Sequence, residues 1–493
     1  MGRRRLAGLP DRLWDDRVLA VALTAAVAAG YGIFAGWWTP RGPATTAQAL
    51  AAMGIGAVVG FVAGVVMRSR WAMLVAPVFF VGVFELVRLD ATGPTVDGFT
   101  STLLASEYGV VALVVGRVFH GVLTLWPMLV GVAFGRAWAR RRSGGPAPGR
   151  PGALTRAVAC LGRATLVVST ALLLVLAVAL VRPASTEPIR GADGEPLPDS
   201  IAELTKGEIG GHDQSLLIRG HDVNDPVVLF LAGGPGGSET GTMSERARPL
   251  EQDFVVATWD QLGTDRSTGQ FDPNETLNFE RAVADTIEVT EYLRGRFDVD
   301  QVYLVGNSYG SLLGAAAAQR RPELFAAYVG AAQMVDVVET DQRFYETALA
   351  HAETTGDTAT LDALRENGPP PYDDLLKMGP LVASEHDWND YSTIDGFPGL
   401  QEPTDHLFVT EYSLIDMVRS MAGLLDAYSA LYPELYDYDL RAEVHELAVP
   451  VFLVEGAHEA QGRIDPAREW FDALEAPHKE WIVFERSGHR PWV

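Results

Sequence analysis

The stretch QVYLVGNSYGSLLGAAAAQR, residues 301–320, decides the fold of the second half of this 493-residue chain. A short run rich in Val and Leu leads into Gly306-Asn307-Ser308-Tyr309-Gly310, and an alanine-rich segment of helical composition follows. A G-x-S-x-G pentapeptide between a strand and a helix predicts a sharp turn that lifts the serine oxygen above the edge of a sheet. Ser308 is therefore the candidate nucleophile.

Similar apolar runs lie on both sides of this stretch, at residues 226–234, 253–260, 327–335, 449–456 and 480–488. Short runs of this kind are typical of strands that are buried on both faces. Helical patterns at Thr276–Phe297 and Gly310–Arg320 lie between them. The alternation predicts a mostly parallel sheet with helices on both faces, built from residues 201–336 and 448–493. Residues 201–220 should add an antiparallel pair at the edge.

The strand signal stops between residues 337 and 447, where acidic, aromatic and helical stretches replace it. An insertion of this length inside a wound sheet is typical of a functional element. We therefore expect a helical cap over the active site.

The first third of the chain differs sharply in charge from the rest. The mean hydropathy of the whole chain is +0.09, although its net charge is −24. Residues 1–181 hold 17 basic and 7 acidic side chains, a net of +10, which leaves −34 for the remainder. This contrast predicts a membrane domain over residues 1–181 followed by a soluble domain, with residues 182–200 as a proline-rich linker. The acidic domain should repel nucleic acid, so we expect no nucleic-acid partner.

Five segments of the first third approach the roughly 20 apolar residues that cross a bilayer. They are Val18–Trp38, Ala47–Met67, Trp71–Val87, Val110–Trp138 and Ala164–Val181. A signal peptide could account for the first segment but not for the other four. We therefore expect about five transmembrane helices and a lipid bilayer as partner.

The arginines indicate the orientation of these segments. They concentrate before the first segment, between the second and third, and between the fourth and fifth. This alternation predicts a multi-pass protein of the cell membrane with its N-terminus inside and its soluble domain outside the cytoplasm. One miscounted segment would reverse that orientation. Four ionisable residues in or near the segments have a function, snorkel from helix ends to the membrane surface, or form a Glu–Arg pair between helices; they are Glu85, Arg88, Arg117 and His120.

A glycine-rich loop, Leu231-Ala232-Gly233-Gly234-Pro235-Gly236-Gly237, follows the strand-like run at residues 226–231. Such a loop can aim backbone N–H groups at a developing oxyanion, an approach that bulky side chains would block. We assign the N–H groups of Gly234 and Tyr309 to an oxyanion hole. A phosphate loop is a weaker interpretation, because no G-K-[ST] follows.

The catalytic base should be a histidine late in the chain, because folds with this pentapeptide order their triad as serine, acid and histidine. His489 directly follows the last strand-like run. The acid that orients it is Glu459 in the first interpretation, with Asp465 and Asp336 as alternatives. The sequence has neither a Cys/His cluster nor H-E-x-x-H, so we expect no metal and no cofactor.

At this point the residues resemble a known family. The stretches LAGGPGG, WDQLGTDRS and VGNSYGS are similar to the corresponding motifs of prolyl aminopeptidase-like (proline iminopeptidase) α/β-hydrolases. The resemblance covers residues 201–489, is weakest in the cap and excludes the first third. The fold class it implies is an N-terminal α-helical transmembrane bundle followed by an α/β-hydrolase domain with a helical cap.

The resemblance implies Ser308 as nucleophile, His489 as base and Glu459 as acid, in a run where the family usually has Asp. This chain departs from the family in two further ways. Ala232 replaces the usual His before the glycines, and the sequence stops at Val493, where the family normally has a closing helix.

The activity that we expect is that of a membrane-anchored serine hydrolase that acts through an acyl-enzyme. The substrates that the resemblance implies are small peptides with a free N-terminus, such as those with N-terminal proline. Four acidic residues of the cap could bind the substrate ammonium; they are Glu339, Asp341, Glu346 and Glu385. The alternatives are an esterase or lipase acting on small or lipid esters, and a receptor or scaffold on a decayed hydrolase fold. The sequence does not predict the oligomeric state.

Overall fold

The protein is described by a computed structural model that covers residues 16–98, 106–142, 152–389 and 407–491. The chain divides into two compact units. Met1–Thr92 and Leu113–Arg182 make up one, hereafter the helical unit, and Gly93–Ala112 and Pro183–Val493 make up the other, the sheet unit. This division falls close to the predicted boundary at residue 181 but differs in one place, because residues 93–112 group with the sheet unit.

The helices of the first third are α1 Arg17–Trp38, α2 Thr46–Met67, α3 Ala72–Val87, α4 Glu107–Leu113, α5 Phe119–Arg142 and α6 Ala153–Val181. A π-helical turn at Val114–Val118 joins α4 to α5, so that Tyr108–Arg142 reads as one long helix. Within the described residues, four helices are long and apolar enough to cross a membrane: α1, α2, Tyr108–Arg142 and α6. The third predicted segment forms the shorter α3 of 16 residues.

Helices α2 and α5 pack backbone against backbone through glycines. A Cβ atom added at Gly60 would lie 1.9 Å from the carbonyl oxygen of Met128, and one at Gly64 would lie 2.3 Å from that of Val132. From the other side, a Cβ atom at Gly135 would lie 2.0 Å from the carbonyl oxygen of Phe61. Small residues four apart are typical of helix pairs that associate in lipid. The spacing of these glycines therefore sets how closely the two helices approach.

The ionisable residues of the helical unit form an ion-pair cluster. Arg88 Nη2 lies 2.8 Å from Glu85 Oε1, and Arg117 Nη2 lies 3.4 Å from Glu85 Oε2. The ring of His120 is buried and meets Phe84 edge-on, with 4.9 Å between the ring centroids. The predicted Glu–Arg pair between helices is that of Glu85 with Arg117, whereas Arg88 pairs with Glu85 at the end of the same helix, α3.

The sheet unit is built on eight strands in the order β1-β2-β4-β3-β5-β6-β7-β8. They are β1 Ile201–Ile209, β2 His212–Gly220, β3 Val227–Leu231, β4 Val255–Asp260, β5 Val302–Asn307, β6 Phe325–Ala331, β7 Val451–Gly456 and β8 Lys479–Phe484. The pairs β1–β2 and β2–β4 are antiparallel, and the other five pairs are parallel. The predicted mostly parallel sheet with an antiparallel edge is confirmed.

Strands β3 and β4 are buried along their whole length, which explains the unbroken apolar sequence of β3. Helices follow most of the strands: α7 Thr240–Arg246, α8 Pro273–Thr276, α9 Phe279–Phe297, α10 Tyr309–Arg320 and α16 Gln461–Ala473. Large side chains fill the core between these elements, among them Trp259, Tyr328 and Trp470. Burial of this apolar and aromatic surface drives the packing of the sheet unit.

The insertion between β6 and β7 is helical in its described part. It contains α11 Val337–Thr355, α12 Thr358–Asn367, α13 Gly379–Trp388, α14 Leu414–Leu431 and α15 Leu440–Glu443. Buried polar contacts attach it to the sheet. The hydroxyl of Tyr412 donates to Asp265 Oδ2 at 2.6 Å, and Arg463 Nη1 lies 2.7 Å from Glu385 Oε1. The insertion is thus held in place by polar contacts as well as by apolar packing.

Candidate active site

Ser308 lies on the sharp turn between β5 and α10. Its backbone has φ 51° and ψ −119°, a strained conformation for a residue with a side chain. The turn needs glycine on both sides, because a Cβ atom at Gly306 would lie 2.2 Å from the carbonyl oxygen of Gly310. A Cβ atom at Gly310 would in turn lie 2.3 Å from the carbonyl oxygen of Leu231. The local sequence therefore forces Ser308 to the carboxyl edge of the sheet.

The glycine-rich loop after β3 lies against Ser308. A Cβ atom at Gly233 would lie 3.2 Å from the Cβ atom of Ser308. Gly234 adopts φ 116°, which residues with side chains avoid, and it lines the same cavity as Ser308. The carbonyl oxygen of Ala232 accepts a hydrogen bond of 3.0 Å from Gln261 Nε2, which fixes the start of the loop.

Tyr309 contributes its backbone rather than its side chain. It is the first residue of α10, where backbone N–H groups have no acceptor within the helix. Its ring is fully buried and faces Phe279 at 6.5 Å between centroids. The N–H group of Tyr309 therefore lies at the positive end of a 12-residue helix, beside the serine.

His489 and Glu459 are joined by a short hydrogen bond. His489 Nδ1 lies 2.6 Å from Glu459 Oε2, and the Glu459 side chain is completely buried. Glu459 also accepts from the backbone N–H of Ala460 at 2.7 Å. His489 and Ser308 line one cavity, so the fold brings together residues that are 181 positions apart in the chain.

The two alternative acids are engaged elsewhere. Asp336 caps the N-terminus of α11 by accepting from the N–H of Glu339 at 2.9 Å, and it pairs with Arg441. Asp465 lies on α16 and forms an ion pair of 2.8 Å with Arg343. Of the three predicted acids, Glu459 is the one whose described hydrogen bonds include His489.

Arg463 is a site residue that sequence reasoning missed. Its Nη1 atom lies 3.0 Å from Glu459 Oε1 and 2.7 Å from Glu385 Oε1, so one guanidinium joins the acid to the cap. Burial alone would raise the pKa of Glu459, but the charges of His489 and Arg463 outweigh it and lower that pKa to about 2. Glu459 is therefore ionised at neutral pH. Arg463 follows Glu459 by four positions across the start of α16, a spacing that could have suggested the pair.

Glu455 is a second buried carboxyl near the acid. It lies in β7 and accepts from the backbone N–H of Gln333 at 2.9 Å. Burial raises its pKa well above the usual range, and the charge of Glu459 adds to that effect. The negative charge of this pair is thus concentrated on Glu459, the carboxylate that contacts His489.

The cavity above Ser308 has a volume of 340 Å³ and is lined by the cap as well as by the sheet. Two of the four predicted cap acids, Asp341 and Glu385, lie in its wall. The hydroxyl of Tyr432 donates to the Asp341 carboxylate, with distances of 3.0 and 2.9 Å to its two oxygens. Burial raises the pKa of Asp341 to about 7, although Tyr432 and Arg463 act in the opposite direction. Asp341 is therefore a buried carboxyl that changes charge near neutral pH.

The other two cap acids have different settings. Glu339 forms ion pairs with Arg343 at 2.6 Å and with Arg441 at 2.7 Å. Glu346 lies on the same helix, α11, and neither residue is among those described as lining the cavity. The tertiary structure thus separates two cavity acids from two acids outside it, a distinction that the sequence left open.

Comparisons with known proteins agree with this architecture. The family "alpha/beta hydrolase fold" matches residues 226–491, more than half of the chain. "Probable aminopeptidase YbaC" of Bacillus subtilis (strain 168) is 30% identical over 300 residues, which cover 60% of this chain and 92% of that protein. A proline iminopeptidase of Lactobacillus delbrueckii subsp. bulgaricus is 23% identical over 297 residues, covering 56% of this chain and 88% of its own length.

Among solved structures, a proline iminopeptidase-related protein from Thermus thermophilus aligns with a TM-score of 0.43 and 19% identity. The alignment covers 59% of this chain and 92% of that one. The predicted fold class and the predicted resemblance are confirmed by the family and sequence matches.

Proposed function

Because this chain belongs to the α/β-hydrolase fold family, we propose that it is a serine hydrolase that acts through an acyl-enzyme on Ser308. The observation that carries the proposal is the 2.6 Å hydrogen bond between His489 and Glu459, beside the cavity into which Ser308 opens. Ser308, His489 and Glu459 then have the roles of nucleophile, base and orienting acid, as in other serine hydrolases.

The geometry suggests a role for each atom of the pair. The Nδ1–H group of His489 donates a hydrogen bond to Glu459, which leaves Nε2 to take the proton of Ser308. The serine oxygen attacks the substrate carbonyl carbon, and the new oxyanion accepts from the N–H groups of Gly234 and Tyr309. The imidazolium then returns the proton to the leaving group. In the second half of the reaction, His489 takes a proton from water, and the water oxygen attacks the acyl carbon. The proton then passes to the oxygen of Ser308 as the acid leaves.

The acidic side chains in the cavity wall support a substrate with a free N-terminal ammonium group, as in aminopeptidases. A substrate that acylates Ser308 with its first residue would place its ammonium group inside the cavity. Asp341 is buried there and is held by a tyrosine hydroxyl, and none of the described ion pairs includes it. Glu385, by contrast, is paired with Arg463. We therefore assign Asp341 to the substrate ammonium, and small peptides with a free N-terminus, including N-terminal proline, as the substrate class.

Labelling with a fluorophosphonate probe tests the nucleophile. The full-length protein should be labelled in membranes or detergent, and Ser308→Ala should abolish both labelling and hydrolysis. Ser384→Ala is a matched control, because Ser384 is buried in the cap and its hydroxyl donates to Leu381 within its own helix. Hydrolysis that survives Ser308→Ala would refute the proposal, and a folded protein that is never labelled would favour a decayed scaffold.

A substrate panel tests the leaving group. We expect aminoacyl naphthylamides, with proline among them, to be turned over more efficiently than N-acetylated counterparts, because acetylation removes the ammonium. Nitrophenyl esters provide the comparison. Turnover of esters without turnover of any aminoacyl amide would assign the protein to the esterases instead.

We also propose that the apolar helices anchor the protein in a membrane with five crossings, which would place the sheet unit outside the cytoplasm. The charge alternation supports this topology, and α3 is its weakest member because it has only 16 residues. Cysteine accessibility tests it. Cys160 is the single cysteine and lies in the first turns of α6, before the predicted fifth segment begins at Ala164. An impermeant maleimide on intact cells should spare Cys160, while Asp373→Cys in a Cys160→Ser background should react, since Asp373 is highly exposed. The opposite pattern would mean four crossings.

A further inference from the structure

Residues 93–112 connect two apolar helices in the sequence, yet their described parts, residues 93–98 and 106–112, pack within the sheet unit. Such a connection would ordinarily be a loop between transmembrane helices. In the described part of this segment, Thr95, Val96 and Ser106 are buried. The segment therefore has tertiary contacts that a mere connection would not require.

The first contact joins the segment to α14 of the cap. The backbone N–H of Thr95 donates to Asp426 Oδ1 at 3.1 Å, and its hydroxyl donates to Asp426 Oδ2 at 2.5 Å. Both residues are buried, so the two hydrogen bonds are shielded from water and fix the position of the segment.

The second contact joins the segment to the start of α13. A Cβ atom built on Gly379 would lie 2.5 Å from Ser106 Oγ, 3.4 Å from Ser106 Cβ and 3.7 Å from a ring carbon of Tyr108. The absence of a side chain at Gly379 is therefore what lets the segment approach the cap helix so closely.

Tyr108 lines the cavity that contains Ser308 and His489. It lies close to Tyr428, another residue of the cavity wall. The pKa of Tyr428 is raised, first by burial and then by neighbouring groups that include Asp341 and Tyr108. An aromatic side chain from outside the matched hydrolase region thus forms part of the wall around the nucleophile.

We propose that the described residues 106–112 form part of the wall of the substrate cavity and that Tyr108 is a specificity-determining residue that limits the size of the group accepted by Ser308. The second half of this inference rests on the proposed serine hydrolase function; the first half does not.

A disulfide crosslink tests the wall without reference to catalysis. In a Cys160→Ser background, Ser106→Cys and Gly379→Cys would place two Cβ atoms about 3.4 Å apart, close to the 3.5–4.5 Å of a disulfide. Mild oxidation of the full-length protein should crosslink the pair. The control pair is Ser106→Cys with Gly356→Cys, since Gly356 lies in an open region at the end of α11. Failure of the first pair to crosslink more than the control would overturn the inference.

Selectivity tests Tyr108 itself. The measured quantity is the ratio of labelling rate constants for a bulky and a small fluorophosphonate, and the kcat/KM ratio for large and small acyl groups. Tyr108→Ala should raise both ratios about tenfold, and Tyr108→Phe should leave them near the wild-type value, because size is what the wall restricts. Val110→Ala is the control, since Val110 lies on the same helix and is exposed.

Unchanged ratios in Tyr108→Ala would remove Tyr108 as a specificity residue even if the crosslink forms. A wild-type protein that is not labelled at all would refute the proposed function instead, while the crosslink would still decide whether the segment forms the wall.

Discussion

The helical unit and the sheet unit use glycine for different purposes. In the helical unit, Gly60 and Gly64 bring the backbones of α2 and α5 into contact along their length. In the sheet unit, large buried side chains such as Trp470 separate the elements, and two glycines without room for a Cβ atom flank the turn at Ser308. Burial of a large apolar side chain gains free energy in water, whereas in lipid the gain comes from close packing. Glycine therefore determines helix association in one unit and nucleophile geometry in the other.

The two units also differ in how they hold a glutamate between cations. Glu85 pairs with Arg88 and Arg117 and keeps 38% of its side-chain exposure. Glu459 pairs with His489 and Arg463 and is completely buried. Burial strengthens the interaction of Glu459 with its partners, because water screens it less. The same arrangement of charges is thus structural in one unit and available for chemistry in the other.

The largest effect that we predict concerns the two glutamates that pair with cations. Glu459→Gln should lower kcat about 10³- to 10⁴-fold, because the amide no longer stabilises the imidazolium of His489 or fixes its tautomer. Glu85→Gln, which changes the corresponding residue of the helical unit, should leave kcat unchanged. Steady-state kinetics on one substrate compare the two variants. A decrease of less than tenfold in Glu459→Gln would remove Glu459 as the orienting acid.

The next prediction concerns the same substitution in two surroundings. Trp470→Ala should destabilise the sheet unit by about 3–5 kcal/mol, because it leaves a cavity and removes the hydrogen bond from Trp470 Nε1 to the carbonyl of Val444. Trp37→Ala should have little effect, since Trp37 is 74% exposed in the helical unit. Denaturant unfolding of the full-length protein in detergent measures both. Equal losses of unfolding free energy in the two variants would contradict the difference in burial between Trp470 and Trp37.

A third prediction tests the glycine contact of the helical unit. Gly60→Leu should destabilise that unit by about 1–3 kcal/mol, because α2 and α5 must separate to admit the side chain. Gly54→Leu is the control on the same helix, where an added Cβ atom meets nothing within 4 Å. Thermal unfolding in detergent should show a lower midpoint for Gly60→Leu alone. Because leucine has a higher helix propensity than glycine, propensity alone would stabilise both variants, so a matching decrease in both would contradict a specific role for the contact at Gly60.

The smallest effect that we predict concerns Asp341, the buried carboxyl in the cavity wall, and the pH dependence of KM. The pKa of Asp341 is about 7, so Asp341 should gain its charge as the pH rises from 5.5 to 7.5. The KM for an aminoacyl substrate should therefore fall over this range, because only the ionised carboxylate attracts the ammonium. Asp341→Asn should flatten this dependence and raise KM about tenfold, or 1.4 kcal/mol. An N-acetylated substrate should show neither change, and a KM that responds equally for both substrates would exclude Asp341 from ammonium binding.

Much of the fold followed from local sequence patterns. The strands β3 to β8 were predicted because each is a short apolar run between turn residues. The prediction for Ser308 rested on a pentapeptide in which Gly306 is required by contacts within the turn and helix, although the contact that requires Gly310 is with Leu231 of β3. Composition did not decide whether the third apolar segment crosses a membrane, because α3 has 16 residues and a spanning helix needs about 17–25.

The rest of the site depended on contacts between distant parts of the chain. The sequence left Glu459, Asp465 and Asp336 as possible acids, because each is a carboxylate near the end of a strand. In the structure, Asp336 accepts a hydrogen bond at the N-terminus of α11 instead, and Asp465 forms an ion pair with Arg343. Sequence spacing contains no information on which partner each carboxylate meets.

By itself, the sequence determined the apolar helices of the first third, the parallel sheet and the strained turn that carries Ser308. Periodicity and glycine placement act over a few residues, so they can be recognised without a structure. Only the tertiary structure decided that Glu459 meets His489, that Arg463 joins it to the cap and that Tyr108 lines the cavity. Each of these contacts depends on how helices and strands pack in three dimensions, and packing is a property of the whole unit.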